Sequence, residues 1–467
     1  MDTVKEALRR TKYFQLSSEV KEQALKDTTW VHGLKGIAAV LVVSSHLVLC
    51  YARNLIPPCC APGSTSPSLL QWPVFRLVAS GHSWVAIFFI VMGFVNALKP
   101  LKLARSGQAE EAHSKLASSS FSRIFRLVLP ATAATIISWF ICNIGLYERA
   151  SLSDAYWLNE NTPLPSSTWL HAFPDLLDGL TSTWMFGFEN QYDQPQWALV
   201  YLLQGSVMII SVLLLVTSMT PLWRTVTLVI LSIWSLNWSW MIGDPWTGLC
   251  CFAGIMLAEL SLSKIPKAAA DLSPYLSPLL IPISLFLMSY PGSYAESAGW
   301  SNWLHENGIR FLPEVASENL DRMYGSLGGI LLMVGIIISP HARWVLSQGP
   351  LVWLGEVSFA IYLLHGMLLR TVFAWVLQIG QPLTPFGRRA EDGAEYRIER
   401  YPVPGFLHCT LATIVLALCV AGASHVWNMK LEPLFGKITN KLEGIMTAKS
   451  SVELKSPEKS ILPIRND

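Results

Sequence analysis

The first candidate for chemistry is a histidine that lies deep inside an apolar stretch. Residues 30–50 read WVHGLKGIAAVLVVSSHLVLC, which is long enough to cross a bilayer as one helix. His46 lies about 24 Å along that helix from Trp30, past the bilayer midplane. An ionisable side chain at that depth is costly unless it faces protein or water, so it is a functional candidate. A hydrogen bond to a neighbouring helix, with no role in chemistry, fits the sequence equally well.

A pair of arginines is the second candidate. Arg123 and Arg126 occur in FSRIFRLVLP, three residues apart, so they share one face of a helix. Two guanidiniums on one face bind phosphate well, because each presents a fork of donors and stays charged. On the pair alone, a positively charged anchor at the cytoplasmic end of the third apolar run is the stronger interpretation.

Polar residues on a late apolar run form the third candidate. Residues 353–366 read WLGEVSFAIYLLHG, in which Ser358, Tyr362 and His365 follow i, i+4, i+7 spacing. They therefore share one stripe of a helix, and we expect that stripe to face the bundle because polar groups avoid lipid. A part in a site and simple hydrogen bonding between helices remain open alternatives.

The composition indicates what kind of protein must position these groups. Of 467 residues, 52% are hydrophobic and only 14% are charged, which predicts an all-α polytopic membrane protein. The net charge of +2, with no basic tract interleaved with aromatics, argues against nucleic-acid binding. We predict a bundle of about ten transmembrane helices, at residues 30–51, 82–98, 127–147, 196–217, 225–241, 246–262, 275–290, 323–340, 351–377 and 406–428.

Basic residues alternate between the connections and predict the orientation. They are concentrated before residue 30 and in the connection 99–126, whereas the long connection 148–195 has only Arg149. This pattern predicts that both termini are cytoplasmic, although the arginines of the 378–405 loop break it. Residues 1–29 are then a cytoplasmic segment without a secretory signal, 30–437 the transmembrane domain, and 438–467 a disordered cytoplasmic tail.

The eight cysteines do not predict a metal centre. Six lie in or beside apolar runs, where cysteine usually behaves as a small hydrophobic residue. Cys59 and Cys60 lie in a loop that reads PPCCAPG, without the spacing of metal ligands. A disulfide from this loop is left open, since it requires that the loop face the lumen.

Five motifs in order resemble the membrane acyltransferase 3 family. The first three spans are similar to the family's G-L-R-G to histidine run, its FF-x-x-S-G-F motif and its R-x-x-R opening; here they read GLKGIAAVLVVSSH, IFFIVMGFVNA and SRIFRLVLP. The run LVWLGEVSFAIYLLHG resembles the penultimate span, and LEPLFGK resembles the ending. The resemblance covers residues 30 to about 437, and the length and the long third connection look most like the fungal branch.

The resemblance implies an acyltransferase that uses a CoA thioester, usually acetyl-CoA, to acylate a hydroxyl group. His46 corresponds to the proposed catalytic histidine, and Arg123 and Arg126 to arginines implicated in CoA binding. Lys35 stands where the family has an arginine in the first span, and by the same resemblance it is the third residue expected to bind the cofactor. His46 would act as general base, with direct attack to an acyl-imidazole less favoured. Ser45 or a backbone donor could steady the oxyanion.

The chain departs from the fungal pattern at the fourth span. Relatives carry W-x-x-P-V-E-F-R-G-S, whereas this chain has WALVYLLQGS, so Leu202 replaces a glutamate and Gln204 an arginine. Lys35 keeps the charge of the family arginine but loses its planar fork. These changes weaken the prediction of ordinary acyl transfer and leave the prediction of the fold unchanged.

Three functions therefore compete. The leading hypothesis is transfer of acetyl or another short acyl group from acyl-CoA to a lipophilic alcohol, such as a terpenoid or polyketide, in the endoplasmic reticulum or another endomembrane. The second is CoA-independent acid–base chemistry, such as isomerisation or cyclisation, on the same scaffold. A non-enzymatic transporter or accessory protein is the third, and the lack of internal repeats argues against it. The expected partners are acyl-CoA, the lipophilic acceptor and the bilayer, with no metal and no nucleic acid.

Overall fold

Ten apolar helices coincide with the ten predicted spans. The structure, a computed structural model, describes residues 18–59, 67–187, 189–237, 244–312, 314–389 and 395–446. The ten helices are α1 Trp30–Tyr51, α2 Gly81–Arg105, α3 Ala109–Asn143, α4 Trp197–Val216, α5 Pro221–Trp234, α6 Pro245–Leu262, α7 Ser273–Met288, α8 Leu320–Ile338, α9 Ser358–Leu377 and α10 Phe406–Val426. The fold class is therefore confirmed as an all-α polytopic membrane protein.

Eight of these helices, among the described residues, are long and apolar enough to cross a membrane. The other two, α5 and α7, are apolar but shorter, with 14 and 16 residues. The predicted span 225–241 extends beyond residue 237, where the described part of the chain is interrupted as far as residue 243. The backbone tightens to a 3₁₀ turn at Ser235–Asn237 after α5, and Pro291 follows α7 closely, where it cannot continue a helix.

Shorter elements connect the helices. The predicted span 351–377 is broken at Val357 into a short helix, Gly349–Glu356, and α9, which contains a π-helical turn at Leu369–Phe373. The remaining helices are Ser18–Lys26, Glu148–Ser151, Tyr156–Glu160, Trp169–Phe186, Ile265–Ala269, Gly299–Phe311, Glu314–Ser317, Pro340–Leu346 and Glu432–Met446. The last of these is a correction, because the tail predicted to be disordered from residue 438 is helical as far as Met446.

The loop between α9 and α10 contains a β-hairpin that the sequence did not suggest. Strand β1, Thr384–Arg389, pairs antiparallel with β2, Glu395–Arg400, so that Thr384 faces Arg400. In the loop after α1, Cys59 is disulfide-bonded, while Cys60 lies outside the described residues. A bonded cysteine there fits a loop in an oxidising compartment.

Helix α2 lies at the centre of the bundle, against α1, α6 and α8. Its contact with α6 is close because glycine occurs on both sides. An ideal Cβ on Gly93 would lie 2.1 Å from the Cys251 carbonyl oxygen, and one on Gly254 would lie 2.2 Å from the Ile90 carbonyl oxygen. Small residues allow backbones to approach in this way, which is how helices associate where lipid removes the hydrophobic driving force. The core is therefore built outward from the α2–α6 pair.

Candidate active site

A cavity of about 250 Å³ lies at the far end of the bundle, which we define as the end where α1 terminates at Tyr51. It is bounded by α1, α2, α4, α9 and the turns beside them. The side chains that matter below are Ser45, His46, His82, Trp197, Asp321 and Tyr362. The predicted histidine on the first span therefore faces an open space within protein.

His46 is hydrogen-bonded to a second histidine. Its Nδ1 lies 3.2 Å from Nε2 of His365, and the two rings are tilted with their centroids 5.0 Å apart. The Nδ1 atom of His365 lies 3.1 Å from the Ile361 carbonyl oxygen and 2.8 Å from that of Tyr362. Both carbonyls can only accept, so Nδ1 of His365 carries its proton. In the neutral ring, Nε2 of His365 is then an acceptor.

This arrangement determines the tautomer of His46. Because Nε2 of His365 accepts, Nδ1 of His46 must donate, and the remaining Nε2 of a neutral His46 keeps a free lone pair. A hydrogen bond on one ring nitrogen that sets the state of the other is the usual way in which proteins prepare a histidine base. The imidazole is therefore ready to take a proton, as the general-base hypothesis requires.

A buried ion pair lies close to the two histidines. Arg370 and Asp193, both without exposed side-chain surface, form a salt bridge of 2.9 Å. The Arg370 guanidinium lies over the Trp157 ring at 5.4 Å, and Trp157 in turn lies 4.9 Å from the His46 ring. Because an unpaired buried charge is strongly unfavourable, this pair fixes the loop before α4 against α9.

The loop that carries Asp193 is held by further buried hydrogen bonds. Gln196 donates to Asp193 Oδ2 at 2.9 Å, and Asn190 donates to Thr135 of α3 at 2.8 Å. Sequence reasoning missed Asp193 and Arg370. The signal for Arg370 was present, since it is a charged residue inside an apolar span and so met the same criterion that identified His46.

The structure brings together only part of the predicted site. Ser45 lines the cavity but donates its hydroxyl to the Val42 carbonyl at 2.7 Å. Tyr362 also lines it and donates to the Pro195 carbonyl. Ser358 does not line the cavity; its hydroxyl donates to the Gly355 carbonyl at 2.8 Å. Of the predicted stripe on α9, Tyr362 and His365 therefore remain near His46.

The predicted cofactor-binding cations lie away from the cavity. Arg126 is exposed, whereas Arg123 is half-buried and its Nη1 is buried without a hydrogen-bond partner among the described residues. Lys35 precedes His46 by eleven residues, so it lies about 16 Å back along α1. None of the three lines the cavity.

The fourth-span substitutions fit the packing of α4. Leu202 packs against the apolar core. Gln204 has a buried Oε1 with no hydrogen-bond partner among the described residues. A buried amide oxygen without a donor costs free energy, so it marks a place where a ligand with an N–H group would be favoured.

Comparisons with known proteins agree on one family. A model of the acyltransferase 3 family, described as an acyltransferase domain, matches residues 28–423. The O-acetyltransferase PaAT-1 of Phomopsis amygdali is 26% identical over 78% of this chain and 76% of its own length. Acyltransferase R4 of a Phoma species is 22% identical over 74% of this chain, and acyltransferase clz18 of Cochliobolus lunatus 23% over 75%, each over 85% of its own length. No solved structure matches.

Proposed function

This chain belongs to the membrane acyltransferase 3 family, and from that membership we propose that it transfers an acetyl or other short acyl group from acyl-CoA to a hydroxyl of a lipophilic small molecule. The chain is an integral membrane acyltransferase; the donor and the acceptor are the proposal. The observation that carries it is His46, whose Nε2 is free while its Nδ1 is bonded to His365 beside a cavity. The Phomopsis relative is named an O-acetyltransferase, which supports an acetyl group and an oxygen acceptor.

The proposed chemistry begins at His46. Its Nε2 removes the proton from the acceptor hydroxyl as the oxygen attacks the thioester carbonyl carbon. The tetrahedral intermediate then expels CoA as a thiolate, which takes the proton back from the imidazolium. His365 orients the ring through Nδ1 of His46, and the proton of His365 stays on its own Nδ1, which donates to the backbone carbonyls. Direct attack by His46 on the acyl group remains the less favoured variant.

The donor is proposed to enter from the opposite, near end of the bundle. Thr135 of α3 lies 3.3 Å from Gln196 at the start of α4, which marks a common level. From there Arg123 lies about 18 Å and Gln204 about 12 Å toward the near end. Neither Arg123 Nη1 nor Gln204 Oε1 has a hydrogen-bond partner within the described ranges of the chain; the first suits a CoA phosphate and the second an amide N–H of the pantetheine arm. Arg126 and Lys35 would add positive charge near that entrance.

The acceptor is proposed to be lipophilic. Beside the histidine, the cavity wall includes valine, leucine and isoleucine side chains together with Trp197 and Tyr362, while serine side chains, Arg76 and Asp321 form its polar part. Such a wall favours an alcohol with a hydrocarbon body, of which a terpenoid or polyketide is the expected class. An endomembrane, such as the endoplasmic reticulum, is the proposed location because such a substrate partitions there.

The test uses purified protein in detergent with radiolabelled acetyl-CoA and a panel of lipophilic alcohols. We expect acetyl transfer by wild type and by His171→Ala, an exposed histidine in the first turn of the helix Trp169–Phe186, and a loss of about 10²–10⁴-fold in His46→Ala. Transfer by His46→Ala at the wild-type rate would contradict the assignment of the base. A protein that transfers no acetyl group to any alcohol or to water would contradict the proposed activity.

A binding measurement separates this proposal from CoA-independent chemistry. Acetyl-CoA should raise the apparent melting temperature of wild type in proportion to ln(1 + [L]/Kd), and less so in Arg123→Ala/Arg126→Ala. Folded protein that is not stabilised by millimolar acetyl-CoA would favour isomerisation or cyclisation on the same scaffold, with Leu202 and Gln204 as the residues to examine.

A further inference from the structure

The first turn of α2 enters the cavity next to His46. An ideal Cβ on Gly81 would lie 2.4 Å from Ser45 Oγ and 3.1 Å from Ser45 Cβ, so a larger residue here would require Ser45 to move. Ser45 and Gly81 immediately precede His46 on α1 and His82 on α2, so this contact brings the two histidines to one place. Both rings line the same cavity, and the exposed surface of His82 is therefore open to a ligand within it.

The tautomer of His82 is opposite to that of His46. Nη1 of Arg322 lies 3.0 Å from Nδ1 of His82. A guanidinium can only donate, so Nδ1 accepts, and in the neutral ring the proton must be on Nε2. His46 thus offers the cavity a lone pair, whereas His82 offers it an N–H donor.

Arg322 is itself held in place. Its Nη2 donates to Oδ2 of Asp244, and its guanidinium lies 5.0 Å from the centre of the Trp197 ring. Asp244 in turn accepts from the Trp246 backbone N–H at 3.1 Å and from Thr247 Oγ1 at 3.2 Å. The chain from Asp244 through Arg322 to His82 is a relay of fixed donors and acceptors that begins at the residue before α6, passes through α8 and ends at the cavity.

We propose that His82 is a second catalytic residue, which donates its Nε2–H to the thioester carbonyl oxygen as that oxygen becomes an oxyanion. The inference rests on the proposed acyl transfer. A preorganised donor aimed at developing charge lowers the barrier more than one that must reorient. The N-terminus of α2, a 25-residue helix, lies at the same place and adds a positive partial charge.

In this step His46 acts as the base and His82 as the hydrogen-bond donor. The acceptor oxygen forms a bond to the carbonyl carbon while His46 Nε2 takes its proton. The π electrons of the carbonyl move to its oxygen, which receives the hydrogen bond from His82 Nε2–H. When the intermediate collapses, the carbonyl re-forms, the C–S bond breaks, and the departing thiolate takes the proton from His46. His82 keeps its own proton throughout.

The test compares substitutions that keep a donor at different positions of the ring. The glutamine amide of His82→Gln occupies about the place of Nε2, whereas the asparagine amide of His82→Asn reaches only the place of Nδ1. We measure acetyl transfer from acetyl-CoA to the best alcohol of the panel and to water, with His171→Ala as control and with melting temperature as the check on folding.

We expect kcat to fall about 10²–10³-fold in His82→Ala and His82→Asn, with the KM for acetyl-CoA changed less than about threefold. His82→Gln should be at least tenfold faster than either. A His82→Ala rate within threefold of wild type would overturn the inference, as would His82→Gln and His82→Asn that are equally slow. If wild type transfers no acetyl group even to water, the proposed function fails first and this inference with it.

Discussion

The tautomers of His46 and His365 are determined by partners that can only accept a hydrogen bond. His365 must donate from Nδ1 because its two partners are backbone carbonyls, and Nδ1 of His46 must therefore donate to His365. The free lone pair of His46 thus follows from the hydrogen bonds of another helix. Residue type alone could not have shown it, since an isolated imidazole exchanges its tautomers freely.

Removal of His365 should therefore impair catalysis more than binding. In His365→Ala the Nδ1 proton of His46 loses its acceptor, so the ring loses its orientation and its preferred tautomer. We expect kcat to fall by about 10²-fold or more, with acetyl-CoA still able to raise the melting temperature.

His365→Gln supplies the matched control. Its amide oxygen can accept from His46 Nδ1 in place of Nε2, so part of the rate should return. Equal rates for the alanine and glutamine variants would show that the contact between the two histidines does not orient the base.

At the scale of elements, the site depends on helices that approach more closely than ordinary side chains allow. The α2–α6 pair meets through Gly93 and Gly254, and the start of α2 meets α1 at Gly81. These contacts bring His82 to the cavity wall and keep α2 at the centre. Ion pairs act at the ends: Glu259 of α6 binds Arg105 of α2 and Arg224 of α5, each at 2.7 Å.

Gly254→Ala should destabilise the protein despite the small size of the added methyl group. The new Cβ would lie 2.2 Å from the Ile90 carbonyl oxygen, which belongs to a backbone that cannot move without shifting α2. Overpacking of this kind costs about 1–3 kcal/mol, measurable as a lower melting temperature in detergent.

Gly422→Ala on α10 is the control, because nothing lies within 4 Å of its ideal Cβ. Alanine is favoured over glycine in a helix by about 0.5–1 kcal/mol, so this variant should be as stable as wild type or more so. If both glycine substitutions have the same effect, the close approach of α2 and α6 is not a constraint.

At the scale of the whole molecule, the proposed base and the proposed cofactor cations are separated along the bundle axis. His46 lies beside a cavity at the far end, whereas Arg123 lies about 18 Å from the level of that cavity's wall. A second hollow of about 160 Å³ adjoins the cavity at Tyr290 and Asp321. Under the proposed function, the donor would approach from the near end and the acceptor from the far end.

The membrane topology of the protein can be predicted from the charges of its connections and then measured. The positive-inside pattern predicts that the C-terminus is cytoplasmic, and the loop between α9 and α10 then lies in the lumen. In sealed microsomes, protease should remove a C-terminal tag, and an N-glycosylation sequon inserted between α9 and α10 should be glycosylated. Glycosylation of a C-terminal tag would contradict this orientation and would show that the cavity lies on the cytoplasmic side.

The sequence by itself determined the fold class, the family and the position of most helices. An apolar run long enough to span a bilayer forms a helix, because the helix satisfies all backbone hydrogen bonds within the run itself. Each such run can therefore be identified from the local sequence. Local patterns also identified His46, Tyr362 and His365 as polar groups that must face protein. They also placed α7 within two residues of its observed bounds.

Only the tertiary structure decided which polar groups meet. The contact of His46 with His365 joins residues 319 positions apart, and the Arg370–Asp193 pair joins residues 177 apart. Hydrogen-bond direction, tautomer and cavity shape arise from partners on different helices, so no local pattern encodes them. For the same reason the structure separates Ser358 from the cavity and brings in His82, Asp193 and Arg370, which the spacing of residues along one helix did not single out.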